Sequence, residues 1–450
     1  MPNRHLVAIV GGAVSGAEAA ATLAASGIEC VVLEQNARPF GKIEDGLPRW
    51  HKRQRAMEFE RIAGKLSLPG VHFIPCVRLG RDLDLDTLLS GWGVSAVLLA
   101  TGAQRDRPLG LEGVDRYLGR GLLYQNALLQ WFNHHEEAAY SGPRLLCEDG
   151  ALIVGGGLAS FDVAKILMLQ TVGAALAARG LPIDMFTLEH RGIAAVLAER
   201  SLDLEKLGLR GCTLFYRRSA REMPVAPFKE GATPEERART EEVRERLLAN
   251  LQAKYLFRFE ANHAPVGFLT QDARLAGLRF VRTETRDGRL EWVEGSEVDR
   301  PSRLVISSIG SIPEPLQGIP RTGELYDFDD LGTAQLRGRP RVFGVGNVVT
   351  GKGNIVVSRR HSSLVTEHIL KDYLGLGQEL ATSGDTLFGA VEARAQAQVE
   401  RVAEQIRRLP ALTAAEIERI HGLVADLHLK AGYPGNLADW LEQVTPPDME

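Results

Sequence analysis

Two short apolar runs each end in a cluster of glycines and open onto a helix-like stretch. Leu6 to Val10 (LVAIV) leads into Gly11-Gly12-Ala13-Val14-Ser15-Gly16, and Ala151 to Val154 (ALIV) leads into Gly155-Gly156-Gly157-Leu158-Ala159-Ser160. Continuous apolar runs of this length, bounded by turn residues, predict strands buried on both faces. Ile28 to Leu33, Val94 to Ala100, Cys212 to Tyr216, Arg303 to Ser308 and a run after Pro340 read the same way. Between them the pattern predicts a helix over about Ala159 to Ala178 and an inserted helical stretch over Met185 to Lys206. It also predicts a charged surface helix over 231–250 and a hairpin at Asp287-Gly288. Two or three amphipathic helices follow from about Leu387 to Leu441. Strands alternating with helices predict an α/β chain with parallel sheets.

The strand–turn–helix context gives the glycines a chemical reading. In such a turn the first glycine permits the tight bend and the second lets a pyrophosphate approach the backbone. The third lets helix pack on strand, with the helix N-terminus facing the phosphates. Two such turns imply two dinucleotides, the arrangement of a flavoprotein that takes a hydride from a nicotinamide. A bare connecting turn is the bland alternative, and the context shared by both turns outweighs it. Both copies depart from the pattern, with Ala13 at the second glycine position of the first turn and Ser160 at the third of the other. Glu34 ends the second apolar run, 23 residues after Gly11, where an acid bonds a ribose hydroxyl. Thr101-Gly102-Ala103 follows the strand at Val94 to Ala100, where the chain leaves the first unit. The corresponding strand of the second unit ends in Arg217-Arg218, which favours a 2′-phosphate and so NADPH over NADH.

Composition narrows the class. A chain of 450 residues calls for two or three domains, and 44% hydrophobic with 24% charged residues is ordinary globular material. The net charge of −4 does not indicate a nucleic-acid binder. No run approaches 18 consecutive apolar residues, so no membrane partner is expected, and the first strand begins too near Met1 for a leader peptide. Cys30, Cys76, Cys147 and Cys212 are isolated, so no dithiol, iron–sulfur ligand set or other metal site is expected. Buried reduced thiols and a cytoplasmic location are the default.

The order of these features resembles the NADPH reductases of the adrenodoxin reductase type, over most of residues 5–370. Similar segments are Glu34 to Gly41 (EQNARPFG), Leu79 to Asp82 (LGRD), Trp131-Phe132-Asn133, and Gly155 to Lys165 with its FDVAK. Tyr216 to Pro224 (YRRSAREMP) is instead similar to the small subunit of glutamate synthase, without that subunit's cysteine-rich iron–sulfur segment. The resemblance implies two dinucleotide-binding domains, the NADP domain inserted into the FAD domain. The expected division is 1–115 and 303–380 for FAD, 116–302 for NADP, and 381–450 as a helical extension. It implies FAD contacts at Gly11, Gly16, Glu34, Gly41, Ile43, Val77, Thr101, Gly102, Gly346 and Ile355, with Ala13, Gly46, Asn347 and Gly353 beside them. It implies NADP contacts at Gly155, Gly157, Leu158, Ala159, Arg217 and Arg218. Asn347, and Lys42, Glu44 and Asp45, depart from the family's usual residues.

The expected reaction is hydride transfer from NADPH to FAD, then release of single electrons to an iron–sulfur acceptor such as ferredoxin. The chemistry belongs to the cofactors, and no side-chain acid or base is required for the hydride step. His51 is the weak catalytic candidate, and a lone histidine is more often a packing residue. The basic run Arg49 to Arg55 and the group Arg359-Arg360-His361 are candidate docking sites for an acidic partner. An electron-input subunit of a larger enzyme is the alternative. A flavin monooxygenase is disfavoured because its fingerprint histidine is missing between Gly121 and Trp131. A sensor that binds NADP without turnover is the non-enzymatic reading.

Overall fold

The computed structural model describes residues 4–228, 231–329, 332–350 and 389–446. Its first sheet is built from β1 (Leu6–Val10), β2 (Glu29–Leu33), β3 (Val71–Ile74) and β4 (Ala96–Leu99), joined late in the chain by Arg339–Gly344 and Gln335–Leu336. The strand order is Gln335–Leu336, Arg339–Gly344, β4, β1, β2, β3, parallel throughout except for Gln335–Leu336. β1 is central and buried along its whole length. Val7 and Ile9 face one apolar cluster while Leu6, Ala8 and Val10 face the other, the period-two alternation of a sheet covered on both sides.

The C-terminal helices cover this sheet rather than trailing from it. Gly389–Ile406 packs Val391, Val399 and Ile406 into the cluster beneath helix α1 (Val14–Ala25). Ala414–Ala431 packs Ile417, Ile420 and Val424 against the opposite face. Leu437 and Trp440 close the first cluster.

The second sheet is wholly parallel, in the order Leu122–Tyr124, Val305–Ser308, Leu152–Gly155, Thr213–Phe215, Arg258–Glu260. The strand Val305–Ser308 therefore pairs inside the second sheet, past the expected division at 302. The chain leaves the first unit through Arg105–Asp106 and returns through Ser311–Ile312, and these two segments pair as an antiparallel link. Helix Leu158–Ala177 is long and apolar enough to cross a membrane by length and composition. It is a core helix here, carrying Asp162 and Lys165 buried within the apolar core of this second unit. An antiparallel sheet of His263–Gln271, Arg274–Arg286, Arg289–Trp292 and Val298–Pro301 completes the unit, with the hairpin turning at Asp287-Gly288 as its dipeptide predicts.

The predicted charged helix forms as Pro234–Tyr255, capped by Thr233 and Glu236 with proline at its start. The thiols differ from expectation. Cys30 and Cys212 are buried, Cys147 is half-buried, and Cys76 is exposed on the loop after β3.

Candidate functional site

The first glycine turn sits where β1 hands over to α1. Gly11 has a φ of 103°, and its N–H donates to the Leu33 carbonyl at 2.8 Å. A Cβ on Gly16 would overlap the Gly11 carbonyl oxygen, so only glycine lets α1 start this close to the strand. Ala13 is the residue before α1, and its methyl points at Gly41, where an added Cβ would lie 3.0 Å away. Gly41 therefore makes room for the methyl that replaces the usual second glycine.

Glu34 lies 4% exposed at the end of β2. Its Oε2 accepts from Gly12 N–H at 2.8 Å and its Oε1 from Asn36 N–H at 2.9 Å. Each oxygen keeps a second lone pair for a ribose hydroxyl. Burial raises the carboxyl's pKa, opposed by these backbone donors.

A cleft opens at the carboxyl ends of β1, β2 and β4, the place where open α/β sheets bind ligands. Of the expected residues, Gly11, Ala13, Glu34, Gly41, Val77 and Thr101 line it. Gly16 lies beneath them, and Ile43 is buried in the core. Gly46 ends the short helix Lys42–Asp45, and Gly102 has a φ of 65° just past Thr101. Gly346 abuts Ser15 at the start of α1, and Asn347 opens the helical turn Asn347–Thr350. Gly353, Ile355 and Arg359-Arg360-His361 lie outside the described residues. Asp45, singled out in the sequence only as a departure from the family, also lines the cleft, and the sequence reading missed Arg78, Gln104, Glu314 and Tyr326 in its wall. They stand on loops or in elements of two to four residues, without motif or period. Arg78 and Glu314 pair there at 2.6 Å, a contact between residues 236 apart in the chain.

These features fit a dinucleotide: a close backbone turn, an acid with spare acceptor capacity, and an open cleft beside both.

Loop 41–49 is held from three directions. Asn133 donates to the carbonyls of Glu44 (2.8 Å) and Leu47 (3.1 Å), and its own carbonyl accepts from Arg49 N–H at 3.1 Å. Lys42 Nζ donates to Ser311 Oγ at 2.9 Å and reaches Asn126 Oδ1 at 3.4 Å, tying the loop to the returning link strand. Burial lowers the Lys42 ammonium to about 8, against the pull of Asp106, and burial raises Asp106 to about 6. Arg55 donates to the Leu47 carbonyl at 2.7 Å.

His51 does not line this cleft. It sits half-buried beside Trp50, and burial together with the Lys165 ammonium lowers it to about 3, so its imidazole is neutral at physiological pH. Lys165 is 1% exposed, pairs with Glu189 at 2.7 Å and lies over the rings of Trp50 and Tyr255. The basic run is thus divided. Arg55 is buried and Arg49 pairs with Glu136 and stacks on Phe132, while Lys52 and Arg53 are exposed.

The second turn has the same construction. Gly155 packs against the Ser308 carbonyl and Gly156 beneath the Tyr216 ring. Gly157 caps helix Leu158–Ala177 with open space at its Cβ position, and Leu158 and Ala159 begin that helix half-buried. Ser160, at the third glycine position, donates its hydroxyl to the Gly157 carbonyl at 2.5 Å, which explains how a polar side chain is accommodated there. Arg217 is exposed past the end of Thr213–Phe215. Arg218 pairs with Glu222 at 2.9 Å, and Glu222 also accepts from Ser219 N–H and Oγ–H.

No family model matches the chain. It is 26% identical over 315 residues to the mitochondrial NADPH:adrenodoxin oxidoreductase of Arabidopsis thaliana, a match covering 64% of this chain and 63% of that relative's length. It is 25% identical over 409 residues to NADPH-ferredoxin reductase FprA of Mycobacterium tuberculosis, covering 83% of this chain and 85% of FprA. It is 25% identical over 369 residues to the NADPH glutamate synthase small chain of the same organism, covering 78% of this chain and 63% of the relative. The solved structure of the FprA His57Gln mutant superposes with a TM-score of 0.66 at 19% identity, over 95% of this chain and 91% of that one. The resemblances drawn from the motifs thus recur as sequence similarity over 64–83% of the chain, and the two-unit fold is that of FprA.

Proposed function

We propose that this protein binds FAD in the first cleft and NADPH at the second turn, and passes electrons from NADPH through FAD to an iron–sulfur protein of the ferredoxin class. The observation that carries the reading is the pair of strand–glycine turn–helix units, one on each side of the Arg105–Asp106/Ser311–Ile312 link, with Ala13 and Ser160 accommodated in place of glycine. FAD bound there supplies the conversion of a two-electron donor to one-electron delivery. The chain's own residues bind and orient. Gly11 and the start of α1 receive the pyrophosphate, and Glu34 accepts from the ribose. Asn133, Lys42 and Arg55 hold loop 41–49 against the cleft. Gly157 and the N-terminus of Leu158–Ala177 receive the NADPH pyrophosphate, and Arg217 and Arg218 read its 2′-phosphate. Lys52 and Arg53 offer exposed positive charge for an acidic acceptor. The isolated thiols suit a reducing compartment, which supports a cytoplasmic location.

A second reading is an electron-input subunit of a larger oxidoreductase. The run Tyr216 to Pro224 and the likeness to the glutamate synthase small chain favour it, but that likeness covers only 63% of the small chain.

The deciding measurement is the absorption spectrum of the purified protein after reconstitution with FAD, followed by anaerobic NADPH. The expected result is a flavin spectrum that bleaches on NADPH addition. A protein that takes up no flavin, or a flavin that NADPH leaves oxidised, sinks the proposal.

A further inference from the structure

At the amino end of β2, opposite the cleft, three side chains converge on one point. His72 of β3 and His421 of helix Ala414–Ala431 each direct Nε2 at the same oxygen, Glu29 Oε1, at 2.6 Å. Their rings lie 5.0 Å apart, tilted by 50°. The three ligand-type atoms all fall within 4.8 Å of one another. In chain order His72 and His421 stand 43 and 392 residues from Glu29. No spacing motif could reveal the group, and only the docking of the C-terminal helix assembles it.

We propose that Glu29, His72 and His421 form a binding site for a borderline divalent transition-metal ion, Zn²⁺ in the first instance. Two imidazoles and a carboxylate are a donor set that suits zinc. With metal–ligand bonds of about 2.0–2.2 Å, a tetrahedral ion needs donor atoms about 3.4 Å apart, a small adjustment from the present separation. The side chains are 27%, 32% and 42% exposed for Glu29, His72 and His421, so the solvent side stays open for a water ligand. On binding, each imidazole presents an unprotonated Nε2. The displaced proton moves to Nδ1 or is released to solvent.

The site's place in the fold says what it does. Glu29 begins β2, whereas Glu34 and the cleft lie past its other end. Bound metal would staple helix Ala414–Ala431 to β2 and β3 at the sheet edge, beside the contact His428 Nε2 already makes with the Phe73 carbonyl at 2.7 Å. This is a structural clamp on the C-terminal helices, independent of electron transfer.

The test uses untagged, full-length protein, treated with EDTA, dialysed, and then equilibrated with Zn²⁺. Bound metal is counted by mass spectrometry and the melting temperature is followed alongside. The expected result is one zinc per chain with a raised melting temperature. In the His72→Ala, His421→Ala double variant affinity falls by at least roughly tenfold, with flavin content unchanged. Should that variant fail to fold, X-ray absorption of zinc-loaded wild type decides: two imidazoles with oxygen support the site, and a sulfur ligand overturns it in favour of Cys76. No stoichiometric zinc at sub-millimolar concentration, or undiminished affinity in the double variant, also overturns it and leaves a hydrogen-bonded triad only.

Discussion

The side chain of Asn133 holds the backbone of Arg49. Its carbonyl accepts from Arg49 N–H at 3.1 Å while its amide donates to Glu44 and Leu47. One buried amide, 4% exposed, thus satisfies three backbone groups of loop 41–49 that no regular secondary structure could pair. This gives the Trp131-Phe132-Asn133 segment a physical role: Trp131 and Phe132 anchor its helix in the second core, and Asn133 reaches across to the first unit.

Replacing Asn133 with alanine removes the bonds to the Glu44 carbonyl and the Arg49 N–H, while the Leu47 carbonyl keeps its bond from Arg55. We expect a loss of about 2–4 kcal/mol of stability and faster flavin release. Asn133→Asp should act in the same direction, since a carboxylate cannot donate to two carbonyls. Calorimetry and flavin-release kinetics check this. Unchanged melting and release in Asn133→Ala would show that the loop holds itself.

The two glycine turns should respond differently to one added methyl. Gly16→Ala forces a methyl into the Gly11 carbonyl, so the protein should fail to accumulate in soluble, flavin-loaded form. Gly157→Ala meets open space at φ −92°, so it should fold with full flavin and change only the Michaelis constant for NADPH. Flavin content per chain separates the two. A yellow, stable Gly16→Ala protein would contradict the packing described here.

At the second turn, Arg218 is already paired with Glu222 while Arg217 is exposed. Arg217→Ala should therefore carry the larger loss. A charge-assisted bond is worth about 1.5–3 kcal/mol, which raises the Michaelis constant for NADPH roughly 10- to 100-fold and leaves NADH nearly unchanged. Steady-state kinetics with both nucleotides check this. Equal effects on both would mean that Arg217 does not read the 2′-phosphate.

His51 links stability to pH. Its folded pKa lies at about 3, below the ordinary histidine value, so the unfolded chain takes up a proton that the folded chain refuses. Its contribution is intact above about pH 6.5 and is lost as pH falls from there toward 3. By pH 5 the loss is about 2 kcal/mol. His51→Gln should flatten that part of the stability profile and leave pH 8 little changed. Denaturant unfolding of both proteins at pH 5 and pH 8 measures it. Parallel profiles would show that His51 is not held neutral.

Charge reversal at Lys52 and Arg53 tests the acceptor surface. In the Lys52→Glu, Arg53→Glu protein, ferredoxin-mediated cytochrome c reduction should fall several-fold at low salt. It should converge on wild type as salt rises, because the Debye length shrinks to about 3 Å at 1 M. Reduction of ferricyanide, which needs no docking, should be unchanged. A ferredoxin rate indifferent to both salt and charge reversal would place docking elsewhere.

Local order along the chain was enough for the longer apolar strands, both glycine turns and the helices behind them, but not for the short strands Val71–Ile74, Leu122–Tyr124 and Arg258–Glu260. The reason is that each is a short-range device. An apolar run, a bend that only glycine allows and a helix start all fall within a dozen residues, and the position of Glu34 follows from the length of one strand–helix–strand unit. What lay beyond this reach was set by contacts between distant segments. The strand Val305–Ser308 joins the second sheet because its apolar surface fits between Leu122–Tyr124 and Leu152–Gly155, a choice its own residues do not reveal. The basic run 49–55 reads as one charged stretch, yet helix geometry turns Arg55 inward and packing against Phe132 takes Arg49. The Arg78–Glu314 pair in the cleft wall and the meeting of Glu29, His72 and His421 need segments hundreds of residues apart to be folded together. Which dinucleotide turns this protein carries is legible in the chain alone, because turn chemistry is local. The tertiary structure alone decided which charges stay at the surface and which side chains converge, because burial and ligand geometry belong to the packed chain.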